Sequence, residues 1–191
     1  MSSWEAFAVS TGVVALGEIG DKTQLLALLL AARFRRPWPI ILGILVATLA
    51  NHAGASALGA WVQSVVSAER LRWALALSFL AVAAWTLVAD KMDDDAAPAP
   101  SSLGVFGVTL VAFFLAEMGD KTQIATVMLA ARYASPVVVT AGTTLGMLLA
   151  DVPAVLLGER ALRLVPLAWM RRIAALVFAL LGVLVLAGVG P

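Results

Sequence analysis

The sequence predicts an all-α integral membrane protein with six transmembrane helices, arranged as two inverted repeats of three helices each. Three observations support this fold class: the composition, a set of long apolar runs, and an internal repeat. Of the 191 residues, 62% are hydrophobic and 13% are charged. This composition is too apolar for an ordinary soluble domain, so we expect most of the chain to lie in a lipid bilayer.

Six apolar runs each come close to the roughly 20 residues that a helix needs to cross a bilayer. They are continuously apolar and do not alternate, so we expect helices and not the strands of a lipid-facing barrel. The predicted spans run approximately over residues 6–32, 38–62, 73–89, 103–131, 137–158 and 173–188.

The distribution of Lys and Arg predicts the orientation in the membrane. The loops after spans one, three and five hold eight of these residues and the other side holds three. Because cytoplasmic loops carry the excess of positive charge, we expect both termini outside. The first apolar run is too long for a signal peptide and carries acids, so we expect no cleaved leader.

The internal repeat covers the chain at a fixed offset of 99 residues. EIGDKTQLLALLLAAR at 18–33 returns as EMGDKTQIATVMLAAR at 117–132, with 10 of 16 positions identical. We therefore predict a first three-helix repeat over 1–90, an acidic and Ala/Pro-rich cytoplasmic linker over 91–102, and a second repeat over 103–191. Because three is an odd number of spans, the second repeat must be inverted, an architecture whose transport sites lie near the membrane midplane.

Ionisable side chains inside the predicted spans are the strongest functional signal. Each costs at least about 3 kcal/mol in the bilayer interior, so such residues face a bundle interior or an aqueous cavity. Five acids against two lysines leave a formal charge of −3, which cations or protons must compensate. The residues are Glu18, Asp21, Lys22, Glu117, Asp120, Lys121 and Asp151.

Within one continuous helix, Glu18, Asp21 and Lys22 would share a face, and the second copy would repeat that arrangement. Gly20 and Gly119 lie inside the two copies. Glycine there permits either a close approach of another helix or a local break that exposes backbone carbonyls as further ligands.

Oxygen atoms dominate the predicted ligand set, because the chain has no Cys. Carboxylate, amide and hydroxyl oxygens suit hard cations such as Ca²⁺, Mg²⁺ and Mn²⁺. The predicted metal ligands are Glu18, Asp21, Glu117, Asp120, Gln24, Gln123, Asp151 and Asn51. Thr23, Thr122, Gly20 and Gly119 are predicted to support them, with Lys22 and Lys121 balancing the charge.

The same residues also admit purely structural interpretations. The single histidine, His52, is expected to be a packing residue, as a lone membrane histidine more often is. Glu18 and Lys22, four residues apart, could form a buried ion pair that only fixes helix packing. Two convergent copies together with Asp151 favour a functional site instead.

The duplicated E-x-G-D-K-T motif, each copy followed by A-A-R-[FY], resembles the small cation/proton antiporter family that includes Golgi-type and bacterial manganese/calcium transporters. The resemblance covers essentially the full chain. It implies six or seven helices, exchange of Mn²⁺ or Ca²⁺ for H⁺, and metal ligation by the motif acids Glu18, Asp21, Glu117 and Asp120. It also implies a bacterial plasma membrane and no permanently bound cofactor.

The predicted function is therefore a secondary antiporter that exports Mn²⁺ in exchange for protons, with Ca²⁺ as the next substrate. A passive divalent-cation channel is an alternative, which proton-uncoupled flux would favour. A membrane enzyme using the carboxylates as a dyad is a further alternative. The sequence has no Ser/His or Cys/His nucleophile arrangement and no phosphate-cradling glycine loop, so we predict that the chain is not an enzyme. The net charge of +1 and the lack of a basic patch argue against a nucleic-acid partner.

Overall fold

The computed structural model describes residues 2–88, 103–158 and 167–188, and these residues form eight α-helices without strands. The prediction of an all-α fold is confirmed for this part of the chain. The linker predicted over 91–102 lies outside the described residues. The helices are α1 (Ser3–Glu18), α2 (Lys22–Phe34), α3 (Pro37–Val65), α4 (Ala68–Thr86), α5 (Gly104–Glu117), α6 (Lys121–Tyr133), α7 (Pro136–Leu157) and α8 (Leu167–Leu186).

Three of these helices are long and apolar enough to cross a membrane: α3 with 29 residues, α7 with 22, and the Ala168–Leu186 part of α8 with 19. α5 is a shorter apolar helix. Many large apolar side chains lie on the surface, with Val137 at 79% and Leu176 at 69% exposure. Such an apolar surface suits contact with lipid tails.

The first and the fourth apolar runs each form two helices, so the shared helical face expected for Glu18, Asp21 and Lys22 within one continuous helix does not form. α1 ends at Glu18 and α2 begins at Lys22, and the same break separates α5 from α6. Gly20 has φ 81° and Gly119 has φ 76°, in the left-handed region that glycine adopts without a Cβ penalty. Of the two roles expected for these glycines, a close helix approach or a local helix break, the structure has the helix break.

Each helix that follows a break starts with an aspartate at the N-cap and a glutamine that bonds back to the glycine of the break. Asp21 and Asp120 take the N-cap positions of α2 and α6. Gln24 Oε1 accepts a hydrogen bond from the backbone N–H of Gly20 at 2.9 Å, and Gln123 Oε1 accepts one from that of Gly119 at 2.7 Å. A backbone donor beside each helix start is thereby satisfied by a side chain of the first helical turn.

Helices of one sequence repeat pack against helices of the other. The offset of 99 residues carries α2 onto α6 residue for residue. α1 packs on α7 and α5 packs on α3, while α3 and α7 also contact each other. α4 packs on α8, where the equivalent rings of Phe79 and Phe178 lie 6.5 Å apart. The two repeats therefore pack together, and each of the two hydrophobic clusters draws residues from both of them.

Glycines permit a close approach of the helices at two of these crossings. A Cβ on Gly43 would lie 2.7 Å from Cβ of Thr109 on α5, and a Cβ on the equivalent Gly142 would lie 2.7 Å from the backbone oxygen of Phe7 on α1. Neither contact has room for a larger residue. The two broken helices are thus held tightly against α3 and α7, which positions the breaks in the interior of the bundle.

Candidate metal centre

Three carboxylates from the two breaks converge on one buried point. Glu18 is the last residue of α1, Glu117 is the last residue of α5, and Asp120 is the N-cap of α6. One carboxylate oxygen from each lies within 4.8 Å of the others, and all three side chains are buried. Such a cluster can surround a single cation.

Both glutamates receive a hydrogen bond from a threonine of their own motif copy. Thr23 Oγ1 donates to Glu18 Oε2 at 2.5 Å, and Thr122 Oγ1 donates to Glu117 Oε1 at 2.5 Å. The second break also has a longer bond from the backbone N–H of Thr122 to Asp120 Oδ2, at 3.4 Å. The threonines predicted as supporting residues therefore orient the two glutamates.

The two lysines pair with the opposite motif copy. Lys22 Nζ lies 2.9 Å from Asp120 Oδ1, and Lys121 Nζ bonds to Asp21 Oδ1. The positive charge of each lysine is thus placed beside an acid of the other repeat. The alternative ion pair within one copy, Glu18 with Lys22, does not form. Each lysine joins its own half of the chain to the other half.

α3 and α7 add a polar side chain each. Asp151 of α7 is fully buried, interacts electrostatically with Glu117, and has no hydrogen-bond partner for either carboxylate oxygen among the described residues. On α3, His52 Nε2 lies 3.7 Å from Glu117 Oε1. The offset of 99 residues makes His52 and Asp151 equivalent positions.

The amide side chains predicted as ligands are engaged in backbone hydrogen bonds. Asn51 Nδ2 donates to the carbonyl of Phe114 at 3.0 Å, in the last turn of α5. Gln24 Nε2 donates to the carbonyl of Ala150 at 3.0 Å, in addition to its capping bond. These amides hold the broken helices against α3 and α7.

Uncompensated negative charge at the centre fits a divalent cation. Lys22 and Lys121 pair with two of the five acids. Glu18, Glu117 and Asp151 remain without a lysine, and each has at least one buried oxygen with no hydrogen-bond partner among the described residues. Buried carboxylates of this kind require a cation or protons. Their hard oxygen atoms match the ligands that Mn²⁺, Mg²⁺ and Ca²⁺ accept.

Two features of the centre were missed in the sequence. The pairing of each lysine with the other copy is a long-range contact that local spacing does not reveal. His52, expected from the sequence to be a packing residue, has its Nε2 3.7 Å from Glu117 Oε1 of the carboxylate cluster. Alignment of the two repeats could have found the second feature, because it places His52 on Asp151.

Comparison with known proteins identifies the family. The family model described as "Divalent cation/proton antiporter GDT1" matches residues 6–94 and 105–189. A protein of Vibrio cholerae named "Putative manganese exporter" is 51% identical over 175 residues, covering 91% of this chain and 86% of that protein. A GDT1-like protein of Synechocystis is 30% identical over 174 residues, covering 81% of this chain and 83% of that protein.

No solved structure matches the chain. The resemblance noted in the sequence is confirmed by the family match, and the prediction of a membrane transporter and not an enzyme is confirmed by the names of the family and of the Vibrio relative. The chain belongs to the GDT1 family of divalent cation/proton antiporters.

Proposed function

We propose that the protein is a secondary antiporter that exports Mn²⁺ from the cytoplasm of a bacterium in exchange for protons. The observation that carries this proposal is the buried cluster of Glu18, Glu117 and Asp120, with ligand atoms within 4.8 Å of one another. Asp151 completes the oxygen ligands. A divalent cation that displaces two protons from these acids leaves the formal charge of the centre unchanged, which favours exchange over one-way flow.

The architecture we propose is six spans in two inverted repeats, with spans one and four each made of two half-helices. The reciprocal contacts support it, since α1 packs on α7 as α5 packs on α3. Broken helices of this kind expose helix ends at a central ion site, and rocking of the repeats gives alternating access. Both termini would lie outside the plasma membrane, and the linker over 91–102 in the cytoplasm.

In the proposed cycle, Asp21 and Asp120 exchange partners between lysine and metal. Each is paired with a lysine of the other repeat, so a relative movement of the repeats must change both pairs. When a cation binds, an aspartate that turns toward it releases its lysine. This coupling links occupancy of the centre to the movement of the two halves.

Mn²⁺ is proposed as the main substrate and Ca²⁺ as the second. Oxygen ligands serve both ions. The family description names divalent cations, and the name of the Vibrio relative includes manganese. Because that relative is 51% identical to this chain, manganese ranks first.

The test is metal uptake into proteoliposomes that carry an internal pH dye. Wild-type protein is expected to move Mn²⁺ inward and protons outward in a fixed ratio, with Ca²⁺ moving more slowly. Glu18→Gln removes a ligand charge and is expected to abolish both fluxes. Glu5→Gln is the matched control, because it makes the same substitution on the same helix at an exposed position and should retain wild-type flux.

Three results would decide between this proposal and its alternatives. Metal flux without proton movement would indicate a passive channel. Wild-type flux in Glu18→Gln would show that the centre is elsewhere. Absence of flux for both ions, with protein that is folded by gel filtration and circular dichroism, would contradict divalent-cation transport.

A further inference from the structure

His52 lies at the carboxylate cluster in a setting that packing does not explain. Its side chain is fully buried near the middle of α3. Nε2 is 3.7 Å from Glu117 Oε1, which is longer than a hydrogen bond. Neither Nδ1 nor Nε2 has a hydrogen-bond partner among the described residues. A buried packing histidine normally satisfies at least one of its ring nitrogens, so this exception requires an explanation.

The separation between His52 and Glu117 suits two ligands of one metal ion. With metal–ligand bonds of about 2.1–2.3 Å, two ligands lie about 3.0–3.3 Å apart at a right angle and about 4.2–4.6 Å apart when opposite. The observed 3.7 Å falls between these limits. An ion could therefore contact both atoms without movement of the α3 and α5 backbones.

The two repeats differ in ligand chemistry at this position. His52 presents a ring nitrogen to Glu117, whereas the equivalent residue of the second repeat, Asp151, presents oxygen. Carboxylate and carbonyl oxygens suit Mg²⁺, Ca²⁺ and Mn²⁺ alike, but Mn²⁺, as a transition metal, accepts an imidazole nitrogen more readily than Ca²⁺ does. One nitrogen ligand in a centre that is otherwise lined by oxygen therefore shifts the metal preference of the centre from Ca²⁺ toward a transition metal.

We propose that His52 is a nitrogen ligand of the transported cation and sets the preference for Mn²⁺ over Ca²⁺. This inference rests on the proposed function in one respect: the carboxylate cluster holds the transported ion. In the bound state, Glu117 and His52 contact the same ion, and Thr122 continues to orient Glu117 through its hydroxyl. Glu117 links the histidine to the cluster, because its carboxylate lies 3.7 Å from His52 Nε2 and also belongs to the cluster with Glu18 and Asp120.

Pulsed electron paramagnetic resonance of bound Mn²⁺ tests the contact directly. The chain has a single histidine, so in tag-free protein any imidazole nitrogen coupled to Mn²⁺ must belong to His52. We expect ¹⁴N modulation in the wild type, conversion to a ¹⁵N pattern when histidine is labelled, and loss of the signal in His52→Asn. Bound Mn²⁺ without imidazole coupling in the wild type would overturn the inference, as would a wild type that binds no Mn²⁺.

Selectivity in proteoliposomes is the second readout. His52→Asn and His52→Gln replace the ring nitrogen by an amide oxygen, so the Mn²⁺-over-Ca²⁺ flux ratio should fall about tenfold or more, with Ca²⁺ flux retained. Ser56→Ala, one turn along α3 and also buried, should keep the wild-type ratio.

The outcomes separate this inference from the proposed function. An unchanged flux ratio in both His52 variants would overturn the selectivity role while leaving transport at the cluster intact. Loss of both fluxes in both folded variants would also overturn it, because a selectivity ligand should leave Ca²⁺ flux. A wild type without any divalent-cation flux would contradict the proposed function itself.

Discussion

The two copies of the E-x-G-D-K-T motif, at 18–23 and 117–122, share one backbone geometry but lie in different surroundings. Both break a helix at glycine and both hydrogen-bond threonine to glutamate. Yet the Lys22 side chain is 32% exposed, whereas that of Lys121 is 3% exposed. Because the motif residues are the same, this difference arises from the helices packed around each copy.

A second difference lies on the two long helices. Glu117 faces His52 on α3, while the equivalent position on α7 is occupied by Asp151. The duplicated motif therefore supplies two matched sets of acids, and the neighbouring helices make them unequal. An ion site between such copies can keep its carboxylates in place while each side of the site acquires its own chemistry.

Removal of the lysines should show the largest difference between the copies. Lys121→Met removes the cation next to Asp21, a carboxylate with almost no exposure. Breaking a buried ion pair costs about 3–5 kcal/mol, and we expect an effect of that order on the free energy of unfolding. Lys22→Met should cost less, because solvent partly screens the pair with Asp120.

Unfolding in detergent micelles, followed by circular dichroism, measures both variants. Arg36→Met is the control for loss of a positive charge, because Arg36 is exposed, and it should unfold like the wild type. Equal losses of unfolding free energy in Lys121→Met and Lys22→Met would show that the difference in burial between the two lysines has no energetic consequence. The two motif copies would then be equivalent in stability.

Removal of the threonine hydroxyls should affect the two copies alike. Thr23→Val and Thr122→Val keep the shape of the side chain but remove the donor to Glu18 or Glu117. Loss of a residue that orients a metal ligand typically lowers affinity 10–100-fold, and we expect a loss of Mn²⁺ affinity in that range for each variant.

Isothermal titration with Mn²⁺ measures this loss. Thr23→Ser and Thr122→Ser retain the hydroxyl and should bind nearly as the wild type does. A loss confined to one copy would show that only that glutamate contacts the ion, which would sharpen the asymmetry already visible at the lysines.

Much of the fold could be predicted because it depends on composition and on repetition. Apolar runs indicated the helices, and the offset of 99 residues aligned α2 with α6 without a gap. Ionisable residues in apolar runs indicated the centre, since such residues are costly away from it. Glu18, Glu117 and Asp120 do converge.

The apolar runs did not decide between a close helix approach and a break at Gly20 and Gly119, because average hydrophobicity across a run does not report backbone geometry. A local signal was nevertheless present: Gly followed by D-K-T-Q, with Asp as an N-cap and Gln three residues later, is the pattern of a capping box. Read in this way, Gly20 and Gly119 predict a new helix start at Lys22 and at Lys121.

The cross-repeat ion pairs could not be predicted from spacing. Local rules relate residues three or four positions apart, and they favoured Glu18 with Lys22. Because the helix ends between these two residues, they no longer lie on one helical face. The partner of Lys22 is Asp120, which only the packing of the two repeats determines.

The capping glutamines provide the smallest expected effect and a test of their role. Gln24→Leu loses the bond from the backbone N–H of Gly20 and the bond to the carbonyl of Ala150. At about 0.5–1.5 kcal/mol for each hydrogen bond, its cost should be about 1–3 kcal/mol in the free energy of unfolding. Gln123→Leu loses the bond from the backbone N–H of Gly119 and should cost about 0.5–1.5 kcal/mol.

Measuring Mn²⁺ affinity in the same two variants separates capping from ligation. Because Oε1 of each glutamine accepts a backbone N–H bond, we expect stability to fall while affinity stays at the wild-type value. Reduced affinity with unchanged stability would instead support the ligand role predicted from the sequence. Because an amide oxygen has two lone pairs, each glutamine would then bind the ion while it keeps its bond from the glycine N–H.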